Sequence, residues 1–214
     1  MFYWIKTNNT IKWLFRSQIW SIPNPDNKIY LTFDDGPTPE VTEWVLNILK
    51  EENIPATFFC IGKNIENHPD IFRKIIQHGH AIGNHTFNHL NGWKTKTSVY
   101  LQNIEQCEAS ILCNANETKA KLFRPPYGKV TIKQSAKLRN QGYKIIMWDI
   151  LTADFDKTVT PENCLKNATR KVENGSIIVF HDSLKARKNL EYALPKAIKF
   201  LKEKGFVFAT VQSD

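Results

Sequence analysis

The sequence lacks any long apolar run. No stretch approaches the ~20 apolar residues that a membrane-spanning helix requires. The first 25 residues also lack the continuous apolar core of ~7–15 residues and the small-residue cleavage site of a secretory signal. We therefore expect no transmembrane segment and no export signal, and a cytoplasmic or peripheral location by default. The oligomeric state stays open.

Cysteines and nucleic-acid signatures are also sparse. The four cysteines include Cys107 and Cys113, whose separation suits neither a zinc knuckle nor an obvious disulfide. The formal charge is +8, but the basic residues are scattered, without the interleaved aromatics that stack bases. We expect free thiols and no nucleic-acid partner. The charge suits either attraction to an anionic surface or glycan, or simply solvated lysines.

Acidic residues are absent from the first 25 positions, which are rich in aromatic side chains. We expect residues 1–27 to pack on the rest of the chain and to cover part of its core with the side chains of Trp13, Phe15 and Trp20. The alternative is a basic amphipathic anchor on anionic lipid. Polar residues at 7–10 and two prolines interrupt any helical apolar face, which favours packing.

The remaining chain, residues 28–214, alternates strand and helix signals without a linker or repeat, which predicts one α/β domain. The predicted strands are Ile29–Phe33, Ala56–Ile61, Ala81–Asn84, Lys121–Arg124, Tyr143–Asp149, Ser176–Phe180 and Phe206–Val211. The predicted helices cover about 40–51, 65–78, 97–113, 131–141, 161–173 and 189–203. Strict alternation predicts a parallel sheet with outer helices, either a small barrel or an open doubly wound sheet.

Polar residues at the predicted strand ends favour the barrel, because a barrel gathers many strand ends around one mouth. They are Asp34, Asp35, His85, Arg124, the stretch from Asp149 to Asp154, and His181. Asp34 and Asp35 are adjacent carboxylates, and each needs a cation or metal partner if buried. His85 and His89 stand at i and i+4, which predicts two imidazole ligands on one face of a helical turn. One carboxylate with two imidazoles is typical of a catalytic metal site.

Four segments of the sequence resemble one known family. Thr32–Gly36, His85–His89, Arg124–Gly128 and Val179–Asp182 stand in the order seen in polysaccharide deacetylases, the NodB-homology group or carbohydrate esterase family 4. The resemblance covers roughly residues 28–212. It implies a distorted (β/α)7 barrel, in agreement with the seven predicted strands.

The resemblance also implies a role for each matching residue. A divalent metal, with zinc as the expected ion, is bound by Asp35, His85 and His89. The catalytic residues are Asp34 as general base, Arg124 as its partner, Tyr127 as a backbone oxyanion donor, His181 as general acid and Asp154 as the residue that orients it. The substrate groove is lined by Tyr127, Trp148, Phe155 and Val179.

The sequence departs from the family pattern at three positions. Leu151 replaces the first acid of the Asp-x-x-Asp-Trp motif, and Phe155 replaces its tryptophan. Val179 stands where a leucine commonly contacts the acetyl methyl group. These changes leave the implied chemistry intact and leave the sugar open.

The predicted function is therefore a metal-dependent hydrolase that removes N-acetyl groups from amino sugars of a glycan or glycoconjugate and releases acetate. One alternative is a deformylase or deacetylase acting on a lipid-linked or nucleotide-linked sugar. Another is a catalytically silent glycan-binding barrel. A silent barrel is expected to lose at least one acid, base or metal ligand, and here the whole set is present.

Overall fold

The centre of the protein is a curled parallel sheet, seen in a computed structural model that describes residues 3–115 and 121–211. Its strands are β1 (Lys28–Asp34), β2 (Thr57–Cys60), β3 (Ala81–Asn84), β4 (Leu122–Phe123), β5 (Lys144–Ile145), β6 (Ile150–Leu151), β7 (Ile177–His181) and β8 (Val207–Ala209). The order across the sheet is β5-β4-β3-β2-β1-β7-β6, and β8 pairs with the start of β1. All of these pairs are parallel, which confirms the predicted (β/α)7 barrel in one domain.

Helices cover the outside of the sheet. They are α1 (Asn9–Leu14), α2 (Val41–Glu51), α3 (Gly62–Asn67), α4 (Pro69–Gln77), α5 (Thr97–Asn114), α6 (Ile132–Asn140), α7 (Pro161–Thr169) and α8 (Arg187–Glu203). Local signals fix several ends: the Thr160 side chain accepts a hydrogen bond from the Asn163 N–H at the start of α7. Among the described residues, no helix has the length and apolar character needed to cross a bilayer.

Two predicted elements are broken in the structure. The single helix predicted over 65–78 is two helices, because Pro69 disfavours the helical conformation at the preceding His68, whose φ is −136°. The strand predicted over 143–149 ends at Ile145, and β6 follows separately. The carbonyls of Ile146 and Met147 accept hydrogen bonds from the Arg124 guanidinium at 3.3 and 3.0 Å.

Alternate side chains of β1 point to opposite sides of the sheet. Ile29, Leu31 and Phe33 belong to the large apolar cluster between the sheet and its helices. Tyr30 belongs instead to a smaller cluster inside the barrel. The same alternation turns Asp34, the last residue of the strand, toward the barrel interior.

The N-terminal segment, residues 3–22, lies between β5 and β6, the two ends of the curled sheet. Ile19 bridges Ile146 in parallel, and Lys6 bridges Ile150 in antiparallel orientation. The Ile19 N–H donates to the Ile145 carbonyl at 2.8 Å. Trp13, however, is 71 % exposed, so the expectation that it covers the barrel is wrong. Met1 and Phe2, the first two residues of the segment predicted over 1–27, lie outside the described residues.

Asp149 occupies the opposite end of the barrel from the one predicted. Its carboxylate accepts hydrogen bonds from Lys6 Nζ at 2.8 Å, Lys12 Nζ at 2.5 Å and Ser176 Oγ at 2.5 Å. Ser176 directly precedes β7, so this cluster lies at the amino end of the strands. The break after Ile145 is the reason, because it places Asp149 before a strand instead of after one.

Candidate active site

Three potential metal ligands meet at the carboxyl ends of β1 and β3. Asp35 follows β1, and the loop after β3 carries His85 and His89. Asp35 Oδ1 lies 3.3 Å from His89 Nε2 and 3.8 Å from His85 Nε2. One ligand atom from each residue lies within 4.8 Å of the others, an arrangement that can hold a metal ion.

The histidine pair lies on a loop and not on a helical turn as predicted. The His89 backbone has a φ of 55°, in the left-handed region that interrupts a right-handed helix. Asn103 Oδ1 on α5 accepts hydrogen bonds from the N–H groups of Phe87 and Asn88 at 2.9 and 3.0 Å. This side-chain amide takes the place of helical carbonyls and brings the two imidazoles to a centroid distance of 5.1 Å.

The hydrogen bond of His85 leaves its Nε2 lone pair directed at the site. His85 Nδ1 lies 2.7 Å from the Arg124 carbonyl, an acceptor that requires a proton on Nδ1. Burial lowers the pKa of His85 to about 4, which keeps the imidazole neutral. His89 Nδ1 lies 3.1 Å from the Tyr127 hydroxyl.

Asp35 Oδ1 gives an independent test of the metal fit. This buried oxygen has no hydrogen-bond partner among the described residues. Leaving a buried carboxylate oxygen unpaired is costly, and a divalent cation would remove that cost. The three ligands therefore fit a metal ion, with coordination positions left over for other ligands.

Asp34 lies beside the metal ligands and is paired with a buried arginine. Arg124 Nη1 donates to Asp34 Oδ1 at 2.7 Å and to Thr32 Oγ1 at 2.7 Å. Burial lowers the pKa of Arg124, while the Asp34 carboxylate raises it. The Arg124 guanidinium also lies 4.1 Å from the centroid of the Phe59 ring. Asp34 is thereby held in one orientation inside the barrel.

His181 is the strand neighbour of Asp34, because the two residues are register partners on β7 and β1. His181 Nδ1 lies 2.7 Å from Asp154 Oδ1, and the His181 N–H donates to Asp154 Oδ2 at 2.7 Å. Burial lowers the pKa of His181, but the Asp154 carboxylate outweighs it and the pKa is raised to about 9. The imidazole is therefore protonated at neutral pH, with Nε2 free to face a ligand.

The four predicted groove residues do not share one environment. Tyr127 is 50 % exposed beside His89, and Phe155 makes an edge contact with the His181 ring at 4.9 Å. Trp148 is half-buried, with its ring next to Gly128. Val179 is fully buried. Tyr127 thus lies beside a predicted metal ligand and Phe155 beside His181, and Val179 lies below His181 on the same face of β7.

Asp182 is a residue of the site region to which the sequence analysis gave no role. It is fully buried and accepts hydrogen bonds from the Gly36 N–H at 3.0 Å and from Thr42 Oγ1 at 2.6 Å. Burial raises its pKa to about 8. Asp182 fastens the turn that carries Asp35, and its position directly after His181 in the fourth motif is the signal that could have identified it.

The fold and the site together define a class of protein. It is a (β/α)7 barrel whose potential metal ligands leave coordination positions open and lie between a carboxylate and a histidine. A family model described as polysaccharide deacetylase matches residues 21–146, and the chain belongs to this family. A peptidoglycan-N-acetylglucosamine deacetylase of Bacillus cereus is 36 % identical over 91 % of this chain and 71 % of its own length.

Two solved structures extend the comparison. A peptidoglycan N-acetylglucosamine deacetylase in complex with 4-naphthalen-1-yl-N-oxidanyl-benzamide superposes with a TM-score of 0.89 and 33 % identity, covering 97 % of this chain and 96 % of the other. A family pseudoenzyme from Bacillus anthracis shares the fold with a TM-score of 0.81 and 24 % identity, covering 91 % of this chain and 67 % of the other. The fold alone therefore does not identify an active enzyme.

Proposed function

We propose that the protein is a metal-dependent hydrolase that removes N-acetyl groups from amino sugars of a glycan and releases acetate. The single observation that carries the proposal is the joint presence of three parts in one mouth. The first part is the set of potential metal ligands, in which Asp35 Oδ1 makes no hydrogen bond to the described residues. The other two are the Arg124-bound carboxylate of Asp34 and the protonated His181 on the neighbouring strand. Each part alone has a structural explanation, whereas the combination matches amide hydrolysis.

The proposed cofactor is one zinc ion bound by Asp35, His85 and His89. Two imidazoles with one carboxylate are a ligand set found in catalytic zinc sites. A divalent ion supplies Lewis-acid polarisation of a carbonyl and lowers the pKa of water. The neutral state of His85 supports this choice, because an imidazole must be unprotonated to act as a ligand.

The protein's own groups account for the proton transfers. Asp34, held in place by Arg124, takes a proton from the attacking water. The carbonyl oxygen becomes negatively charged, and the Tyr127 backbone N–H donates to it. His181 gives its Nε2 proton to the departing nitrogen as the C–N bond breaks, while Asp154 holds the imidazole through Nδ1. Water and the N-acetyl sugar are thus converted to acetate and the free amine.

The proposal is tested by acetate release from metal-loaded protein. The substrates are N-acetylglucosamine oligomers, peptidoglycan fragments, acetylated xylan and a nucleotide-linked N-acetyl sugar. Asp34→Asn and His181→Ala are each expected to keep the metal and lower turnover by at least ~10²-fold. The control is His78→Ala, because His78 is exposed on another part of the surface. Glycan binding without acetate from any substrate would favour the silent barrel, and turnover of the nucleotide-linked sugar alone would overturn the glycan assignment.

A further inference from the structure

The loop from His85 to His89 has an unusual backbone between its two imidazoles. Thr86 and His89 have φ values of 63° and 55°, in the left-handed region that residues other than glycine rarely adopt. A β-branched threonine is especially unfavourable there. Such a conformation persists only where the surrounding structure holds it. The contacts of this loop therefore decide where the second imidazole lies relative to the first.

Two helices hold the loop, one through its carbonyl groups and the other through its N–H groups. At the start of α3, the Gly62 N–H donates to the Thr86 carbonyl at 3.0 Å. From α5, Asn103 Oδ1 accepts hydrogen bonds from the N–H groups of Phe87 and Asn88 at 2.9 and 3.0 Å. Asn103 is buried, so its amide oxygen is committed to the loop. One side-chain oxygen thus fixes the midpoint between the two histidines.

The two imidazoles differ in how far they depend on the loop. His85 continues directly from β3, and its N–H donates to the Cys60 carbonyl at 2.9 Å. Its side chain is 3 % exposed and lies 2.7 Å from the Arg124 carbonyl. The His89 side chain is 26 % exposed, and its ring contacts the Tyr127 hydroxyl at 3.1 Å. The sheet therefore places His85, whereas the loop places His89.

We propose that Asn103 is a positioning residue for the metal site, which holds His89 where it can bind the same ion as Asp35. The inference rests on the proposed function, because it presupposes a metal ion at these ligands. Asn103 lies on α5, outside the ligand set, and acts through the loop. Removing its amide takes this acceptor from the Asn88 N–H, whereas the Phe87 N–H keeps the Asn103 backbone carbonyl at 3.1 Å.

Preorganisation is the physical reason for an effect on metal affinity. Ligands that are fixed before the ion arrives lose little conformational entropy when it binds. A loop released at its midpoint has to be ordered again at each binding event, which weakens the affinity. Loss of a residue that orients a metal ligand typically lowers metal affinity ~10–100-fold.

The test is calorimetric titration of Zn²⁺ into the metal-free, full-length protein. Asn103→Ala is expected to raise the Kd about 10–100-fold. Asn103→Asp is expected to recover most of the affinity, because a carboxylate oxygen accepts the same two hydrogen bonds. In a His89→Ala background, Asn103→Ala should raise the Kd no further, because its effect is transmitted by that imidazole.

The matched control is Asn189→Ala, which removes a buried asparagine from another helix, α8. Asn189 Nδ2 donates to the carbonyls of Asp154 and Val159 at 3.0 and 3.1 Å, in a loop without a proposed metal ligand. This change is expected to lower the melting temperature and to leave the Kd for zinc unchanged. If Asn103→Ala does not fold, Asn103→Ser replaces it with the same expected rise, because the shorter side chain ends before the two N–H groups.

The outcomes separate the positioning role from the proposed function. The role of Asn103 is refuted by equal Kd values in wild type and Asn103→Ala, or by an equal loss of affinity in Asn189→Ala. A further loss in the His89→Ala background also refutes it. If the wild type binds zinc but releases no acetate, the proposed function fails, and the Kd values still decide the role of Asn103. If the wild type takes up no zinc, the proposed cofactor is wrong and the positioning role is wrong with it.

Discussion

The two ends of the barrel both bury a carboxylate near basic side chains, and they differ in what is left unpaired. At the amino end, both oxygens of Asp149 are occupied, one by Lys12 and the other by Lys6 and Ser176. At the carboxyl end, Asp35 Oδ1 is buried without a hydrogen bond among the described residues and faces two imidazole nitrogens.

This difference separates an acid that is fully occupied within the fold from one that is left open for a ligand. Burying a charge costs several kcal/mol unless partners satisfy it, so a closed cluster such as that of Asp149 holds elements together. An oxygen that is left open in a rigid site keeps its binding capacity for a ligand. The two ends therefore differ in how many hydrogen bonds the carboxylate oxygens accept, and not in burial alone.

The largest expected effect comes from removing an imidazole at the open end. His85→Ala is expected to lower metal affinity by more than the ~10–100-fold that loss of an outer partner costs, because it deletes a ligand itself. Acetate release should fall to background with it. Elemental analysis after dialysis measures the metal, with His78→Ala as the control. Equal metal content in wild type and His85→Ala would contradict metal binding through His85 at the open end.

The ligand set could be predicted from the sequence because its residues lie directly after short apolar runs. Asp35 follows β1 and His85 follows β3, and parallel strands bring such positions to one edge. The i, i+4 spacing of the histidines was sufficient to pair them, although the predicted helical turn is a loop held by Asn103. The local pattern thus predicted that the two imidazoles lie close together, although it predicted the wrong backbone geometry.

Contacts that are distant in sequence could not be predicted in this way. Asp149 was placed at the wrong end because nothing near it signals the break in the strand. At that break the Ile146 and Met147 carbonyls accept hydrogen bonds from Arg124, a residue more than 20 positions away along the chain. The lysines that pair with Asp149 lie more than 130 residues away along the chain.

The second prediction concerns the closed end. The double change Lys6→Met and Lys12→Met leaves a buried carboxylate with one hydroxyl partner. It is expected to cost ~3–5 kcal/mol of the free energy of unfolding, and to lower the melting temperature by roughly 10 °C. Adding Asp149→Asn should restore part of the loss. Lys74→Met, which breaks an exposed pair with Glu43, should cost under ~1 kcal/mol. Equal melting temperatures in both variants would contradict a structural role for the cluster.

The third prediction concerns the acid at the open end. The pKa of His181 is raised to about 9, so its protonated form is present at neutral pH and is lost as the pH rises through about 9. Asp154→Asn removes the largest of the charges that raise the pKa of His181 and leaves the burial that lowers it. The alkaline limb of the rate profile should move to lower pH by at least about one unit, at unchanged metal content. If the alkaline limb does not move, a group other than His181 is responsible for it.

The smallest effect is expected where the N-terminal segment reaches the open end. The Tyr3 hydroxyl donates to Asp156 Oδ2 at 2.8 Å, and its ring meets the edge of Phe155 at 5.8 Å. Tyr3→Phe removes one partly exposed hydrogen bond, worth ~0.5–1.5 kcal/mol, and keeps the ring contact. Melting temperature and kcat/KM should therefore change only slightly. A loss of turnover as large as the ~10²-fold expected for His181→Ala would contradict this, because a merely structural contact changes stability first.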